Sequence, residues 1–108
     1  MYYEFTAGNK TYKLRLNTRS IVALEQKLGC NPVMIFGMNG ETIPTVSVMV
    51  TILHASLQAL NHGISLDDAY NIFDEYLEDG NNSTEFASVI FEIYKVSGII
   101  PKDTDSKN

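Results

Sequence analysis

The chain has 108 residues, 44% of them apolar, and eight Lys and Arg against thirteen Asp and Glu for a net charge of −5. That length supports one domain with a modest core, and the apolar content excludes disorder of the whole chain. The basic residues are scattered, which excludes the concentrated positive face that nucleic-acid backbones require, and the lone Cys30 excludes an internal disulfide or a cysteine-based metal cage.

The first elements are two strands. Tyr2 to Thr6 and Thr11 to Leu16 alternate, with Tyr12, Leu14 and Leu16 on one face and Thr11, Lys13 and Arg15 on the other. Ala7-Gly8-Asn9-Lys10 joins them, because Gly-Asn tolerates the positive φ of a tight hairpin. An isolated hairpin is marginal in water, so its apolar face must lie on helices.

Asn17 or Thr18 caps a first helix carrying Ile21, Leu24 and Leu28, and Gly29 ends it. Asn31-Pro32 restarts the chain into Val33-Met34-Ile35-Phe36, too short for a full helix, and Gly37 to Gly40 form a loop. The longest helix is expected over about Pro44 to Asn61. Its apolar face is Val46, Met49, Val50, Leu53, Leu57 and Leu60, and its polar stripe is Ser47, Thr51, His54, Gln58 and Asn61. Such an uncharged helix belongs at the centre of the core.

Ser65 caps the next helix, with Asp67 and Asp68 in its positive first turn and Leu66, Ala69, Phe73, Tyr76 and Leu77 facing inward. Gly80 ends it. Ser83 or Thr84 caps the last helix, whose inner face is Phe86, Val89, Ile90, Ile93 and Tyr94 and which stops at Gly98. The fold class is therefore α+β: an N-terminal hairpin packed on four to five helices. Residues 1–98 form a single domain and 99–108 a polar tail expected to be disordered.

No constellation nominates an enzyme. His54 and His62 lack a third ligand at metal-like spacing, and Asp74 to Glu85 fails the calcium-loop pattern in both registers that its glycine and final glutamate allow. No glycine pattern cradles phosphate, and no spacing pairs a nucleophile with a base, so neither cofactor nor metal is expected. Cys30 reads as a small buried or half-buried filler. The chain shows no basic-then-apolar leader, and Ile43 to Leu60 is too polar to span a membrane, so a soluble, intracellular protein is expected. The remaining signal is Met34, Ile35, Phe36 and Met38 in a glycine-bounded segment. Flexible Met side chains suit adaptable apolar surfaces, and these four residues are the candidate partner-binding set.

The order of features resembles a known family. The hairpin YYEFTAGNKTYKLRLNTRS leads into VALEQKLGCNPVMIFG, IPTVSVMVTILHASLQAL, ISLDDAYNIFDEYLEDG and a final helix ending in Ser-Gly. It is similar to the tail assembly chaperones of long-tailed bacteriophages and prophages of Gram-positive hosts. The closest stretch is Leu24 to Pro32, followed by the Ile64-Ser65 cap and the acidic helix. The resemblance implies a non-enzymatic assembly factor of the host bacterial cytoplasm, absent from the mature virion. It would bind and solubilise the tape-measure protein, help recruit tail-tube protein and be capable of self-association. No nucleic acid or membrane is implied as a partner. Two rival classes share the acidity: an antitoxin- or anti-repressor-like regulatory module, and a structural tail-completion protein.

Overall fold

The structure is a computed structural model that describes residues 1–102, so residues 103–108 of the expected polar tail lie outside the described residues. Strands β1 (Tyr3–Ala7) and β2 (Lys10–Leu14) pair antiparallel, with Ala7 opposite Lys10 and Tyr3 opposite Leu14. The turn is thus two residues, and Gly8 has the positive φ of 63° that such a turn needs. Ala7, expected in the turn, instead ends β1 and is fully buried. The Gly8 N–H donates to Asp79 Oδ2 at 2.8 Å, which pins the hairpin tip to the far end of a helix.

Leu16 is buried as expected, although β2 stops at Leu14. Beyond it the backbone changes partners. The Arg15 N–H donates to the Ser56 carbonyl at 3.0 Å, and the Leu16 N–H donates to Ser97 Oγ at 2.9 Å. Two separate helices therefore anchor the end of the hairpin.

Helix α1 (Thr18–Leu28) starts at Asn17, whose Oδ1 accepts the Ser20 N–H at 2.9 Å, and closes on left-handed Gly29. Of its residues only Leu24 is fully buried, so α1 lies on the body by a narrow stripe. A 3-10 turn (Pro32–Phe36) follows, then α2 (Val46–Gln58), capped by Thr45. Helix α2 sits at the centre, against α1, α3, α4 and β2. The buried set differs from the expected face: Ile52 and Ser56 are buried, whereas Val46 and Leu60 are exposed. A helix covered on several sides buries more than one stripe, and Ser56 is accommodated by donating to the Leu53 carbonyl at 2.9 Å. The helix also ends sooner than expected. Asn61 Nδ2 accounts for this by donating both to Leu57 O and to Lys13 O of β2, which closes the helix end onto the hairpin.

Helix α3 (Leu66–Glu78) opens with the expected Ser65 cap. Ser65 Oγ accepts the Asp68 N–H, and Asp68 Oδ2 accepts the Ser65 N–H, each at 3.0 Å. Leu66 and Leu77, expected inside, are exposed at the two ends of the helix, and Ile72 is buried beside Ala69, Phe73 and Tyr76. Helix α4 (Ser83–Val96) is capped by Asn82 rather than Ser83 or Thr84, because Asn82 and Glu85 complete the same reciprocal box. Its far end is a Schellman motif: the Gly98 N–H reaches Lys95 O at 3.2 Å, and the Ile99 N–H reaches Tyr94 O at 2.9 Å. Ile99 and Ile100 then pack on the core, so the body extends past residue 98, where the tail was expected to begin.

The fold class is as the patterning predicts, α+β, with an antiparallel hairpin followed among the described residues by four helices and one short 3-10 turn. Among the described residues no helix is long and apolar enough to cross a membrane.

Candidate functional site

The candidate segment is built by local capping. Asn31 Oδ1 accepts the Val33 N–H at 3.0 Å, and Pro32 supplies a preset φ at the first position of the turn. The turn closes at Gly37, which has φ of 80° and where a Cβ would lie only 2.5 Å from Thr42 Oγ1. The Thr42 N–H then returns to the Phe36 carbonyl at 2.8 Å, drawing the Gly37–Gly40 loop shut.

This geometry splits the four expected binding residues. Phe36 is only 3% exposed; its ring stacks on Phe91 at 4.2 Å and meets Tyr94 edge-on at 6.2 Å. It is part of the core and offers no surface to a partner, which corrects the expectation from sequence. Ile35 is half-buried against the same core. Met34 and Met38 are exposed, Met38 at 86%. Within the 3-10 turn Pro32 and Phe36 are the buried residues, Ile35 is half-buried and Met34 is turned outward. The Tyr94 hydroxyl locks the arrangement by donating to the Pro32 carbonyl at 3.0 Å. Burial, and then Cys30 nearby, push the Tyr94 phenol well above its ordinary range.

Two further apolar residues flank the segment and were not singled out from sequence. Ile43 is exposed, and Phe91, the stacking partner of Phe36, is 37% exposed. Phe91 is remote in sequence and lies on a helix whose spacing reads as core, so no local signal marks it. Ile43 was legible in principle, as an apolar residue between the glycine loop and Pro44. A groove of about 240 Å³ runs beside it, lined by Leu28, Cys30, Ile35, Ile43, Pro44 and Val48. Cys30 is exposed there rather than buried as filler, since it follows the αL glycine that turns the chain out of α1.

Elsewhere, a cleft of about 270 Å³ between α1 and α2 has Ala23, Ala55 and Ala59 in its wall and Arg19, Lys27 and His54 among its lining. His54 Nε2 lies 3.1 Å from the Ile64 carbonyl, which also accepts from Gln58 Nε2 at 2.8 Å, so both side chains hold the connection into α3. Among the described residues no group of three or more His, Cys, Asp or Glu is placed to hold a metal ion.

No curated protein and no solved structure matches the chain at a significant level. Over residues 4–107 it matches a protein family described as a family of unknown function, DUF6096, and the chain belongs to that family.

Proposed function

We propose that the chain is a non-enzymatic phage tail assembly chaperone, which binds the tape-measure protein, keeps it soluble and helps bring tail-tube protein to it. It acts in the host bacterial cytoplasm and is left out of the finished virion. The observation that supports this reading is the exposed apolar set Met34, Met38, Ile43 and Phe91 around the short 3-10 turn, on a chain of net charge −5. A tape-measure protein lacking its final partners is a long amphipathic helix with an exposed apolar stripe, an aggregation hazard. Exposed, flexible methionines suit such a stripe, and an acidic exterior keeps the loaded complex in solution.

The DNA flanking the gene provides the first test. An overlapping frame followed by a very long, helix-rich open frame is expected, and the product of that frame should stay soluble when co-expressed with this chain. Replacing Met34 and Met38 together by Ser should return it to the pellet while the chaperone itself remains folded. Neighbouring genes of another kind, or one compact partner bound at fixed stoichiometry, would favour the regulatory-module reading instead. Recovery of the chain in purified particles would favour the tail-completion protein.

A further inference from the structure

The hairpin has two unlike edges. Ala7 and Lys10 flank the two-residue turn as a mutually bonded pair, so Phe5 with Tyr12 and Tyr3 with Leu14 are bonded pairs too. In an antiparallel ladder the intervening residues direct their backbone groups outward: Glu4 and Thr6 on β1, Thr11 and Lys13 on β2. On the β2 side the Lys13 carbonyl is taken up by Asn61 Nδ2 at 2.9 Å. On the β1 side no group among the described residues takes up the N–H or C=O of Glu4 or Thr6.

A groove of about 490 Å³ runs along that open edge, with Tyr76, Asp79, Asn81 and Val89 beside the strand. Its charge is of one sign. Glu4 and Asp79 line it, and a third carboxylate, Glu85, is near enough to raise the phenol of Tyr76, after the larger effect of burial. The neighbouring cations are already engaged: Lys13 lies 4.9 Å from the centre of the Tyr2 ring, and Lys95 pairs with Glu92 at 3.2 Å.

We propose that the free edge of β1 accepts an extended, Lys- or Arg-bearing segment of a partner protein as a third strand. Its alternate side chains lie over Val89 and Tyr76, and its cations lie against Glu4 and Asp79. The backbone supplies affinity through the Glu4 and Thr6 groups, and the carboxylates select for positive charge. A second copy of this chain is a poor occupant, since pairing β1 with β1 would bring two Glu4 side chains and two acidic grooves together. The surface is separate from the apolar set around the 3-10 turn, and the proposal does not depend on the identity of the partner.

The test uses the full chain and a capped Lys-Val-Lys-Val-Lys peptide, with a Glu-Val-Glu-Val-Glu peptide and an alternately N-methylated basic peptide as controls. The basic peptide should bind and slow hydrogen exchange at the Glu4 and Thr6 amides while leaving Phe5 unchanged. The acidic and N-methylated peptides should each bind at least about tenfold more weakly. Glu4→Lys should weaken the preference for the basic peptide, since Asp79 and Glu85 remain beside the groove. Thr6→Pro removes an outward N–H that no strand bond uses, and should abolish binding with the helical circular dichroism intact. If that variant unfolds, the N-methylated peptide still reports on the backbone bonds. Equal binding of all three peptides, unchanged exchange at Glu4 and Thr6, or a concentration-dependent dimer protecting the same amides would overturn the proposal. In the second case Glu4 would serve only to guard the edge against pairing.

Discussion

Two aromatic clusters hold this domain together, and they are closed to different degrees. Under the hairpin, Phe5, Phe73, Tyr76 and Phe86 meet mostly edge-to-face or tilted, at centroid distances of 5.0 to 6.1 Å, and all four are buried. They come from three elements, Phe5 from β1, Phe73 and Tyr76 from α3, and Phe86 from α4. At the 3-10 turn, Phe36, Phe91 and Tyr94 draw on one helix and one short turn, and Phe91 stays partly exposed. The same residue types thus build a sealed core in one place and a half-open surface in the other. What differs is the number of elements converging on the rings. Stability should be concentrated in the first cluster and recognition in the second.

The sharpest way to break that comparison is to remove one ring from each. Phe86→Ala deletes a fully buried ring that touches three others and should cost about 3–5 kcal/mol, enough to threaten folding of a domain this small. Phe91→Ala should cost about 1–2 kcal/mol, because part of that ring is already in water. Urea unfolding monitored by circular dichroism measures both. Equal losses would mean that the open cluster is as structural as the sealed one.

A second contrast lies within the four residues that sequence nominates together. Phe36→Ser removes a stacked, buried ring and leaves a hydroxyl in its place, for about 3 kcal/mol or more. Met38→Ser, at an exposed loop position, should move stability by no more than about 0.5 kcal/mol. Loss of partner binding in the Phe36 variant would therefore follow from unfolding, whereas loss in the Met38 variant would mark a contact.

These contrasts also show what a sequence can carry. Gly29 and Ser65, and Asn17 as one of two candidates, were readable because a cap is settled within a few residues of itself. The hairpin was readable from alternation and a Gly-Asn turn. Val46 and Leu60 were misassigned and Ile52 was passed over, because the face a central helix buries depends on which elements surround it, and no residue of α2 encodes the position of α1 or β2. The candidate site failed in the same way. Phe36 and Met38 look equivalent in a glycine-bounded apolar run, and Phe91 and Tyr94, far along the chain, draw one of them inside. The open edge of β1 was equally invisible, since a strand's pattern does not say whether its second neighbour exists.

The smallest predicted effect concerns the boundary between the sealed cluster and that edge. Tyr76 belongs to the cluster yet lines the groove beside β1, and its phenol is pushed up to about 12 from 10.0, by burial first and then by Glu85 and Tyr3. The folded state therefore keeps a proton that the unfolded chain releases near pH 10. Between those two values the native form binds more protons, so stability falls as pH rises through the window. Contact with solvent in the groove screens the interaction and keeps the loss modest. Ultraviolet titration of phenolate should show a late step that Tyr76→Phe removes in part, since Tyr3, Tyr12 and Tyr94 are raised as well. The same variant should shift alkaline unfolding to higher pH. Titration of Tyr76 at its ordinary value would mean that water reaches the ring freely, and that the sealed cluster opens along the edge of β1.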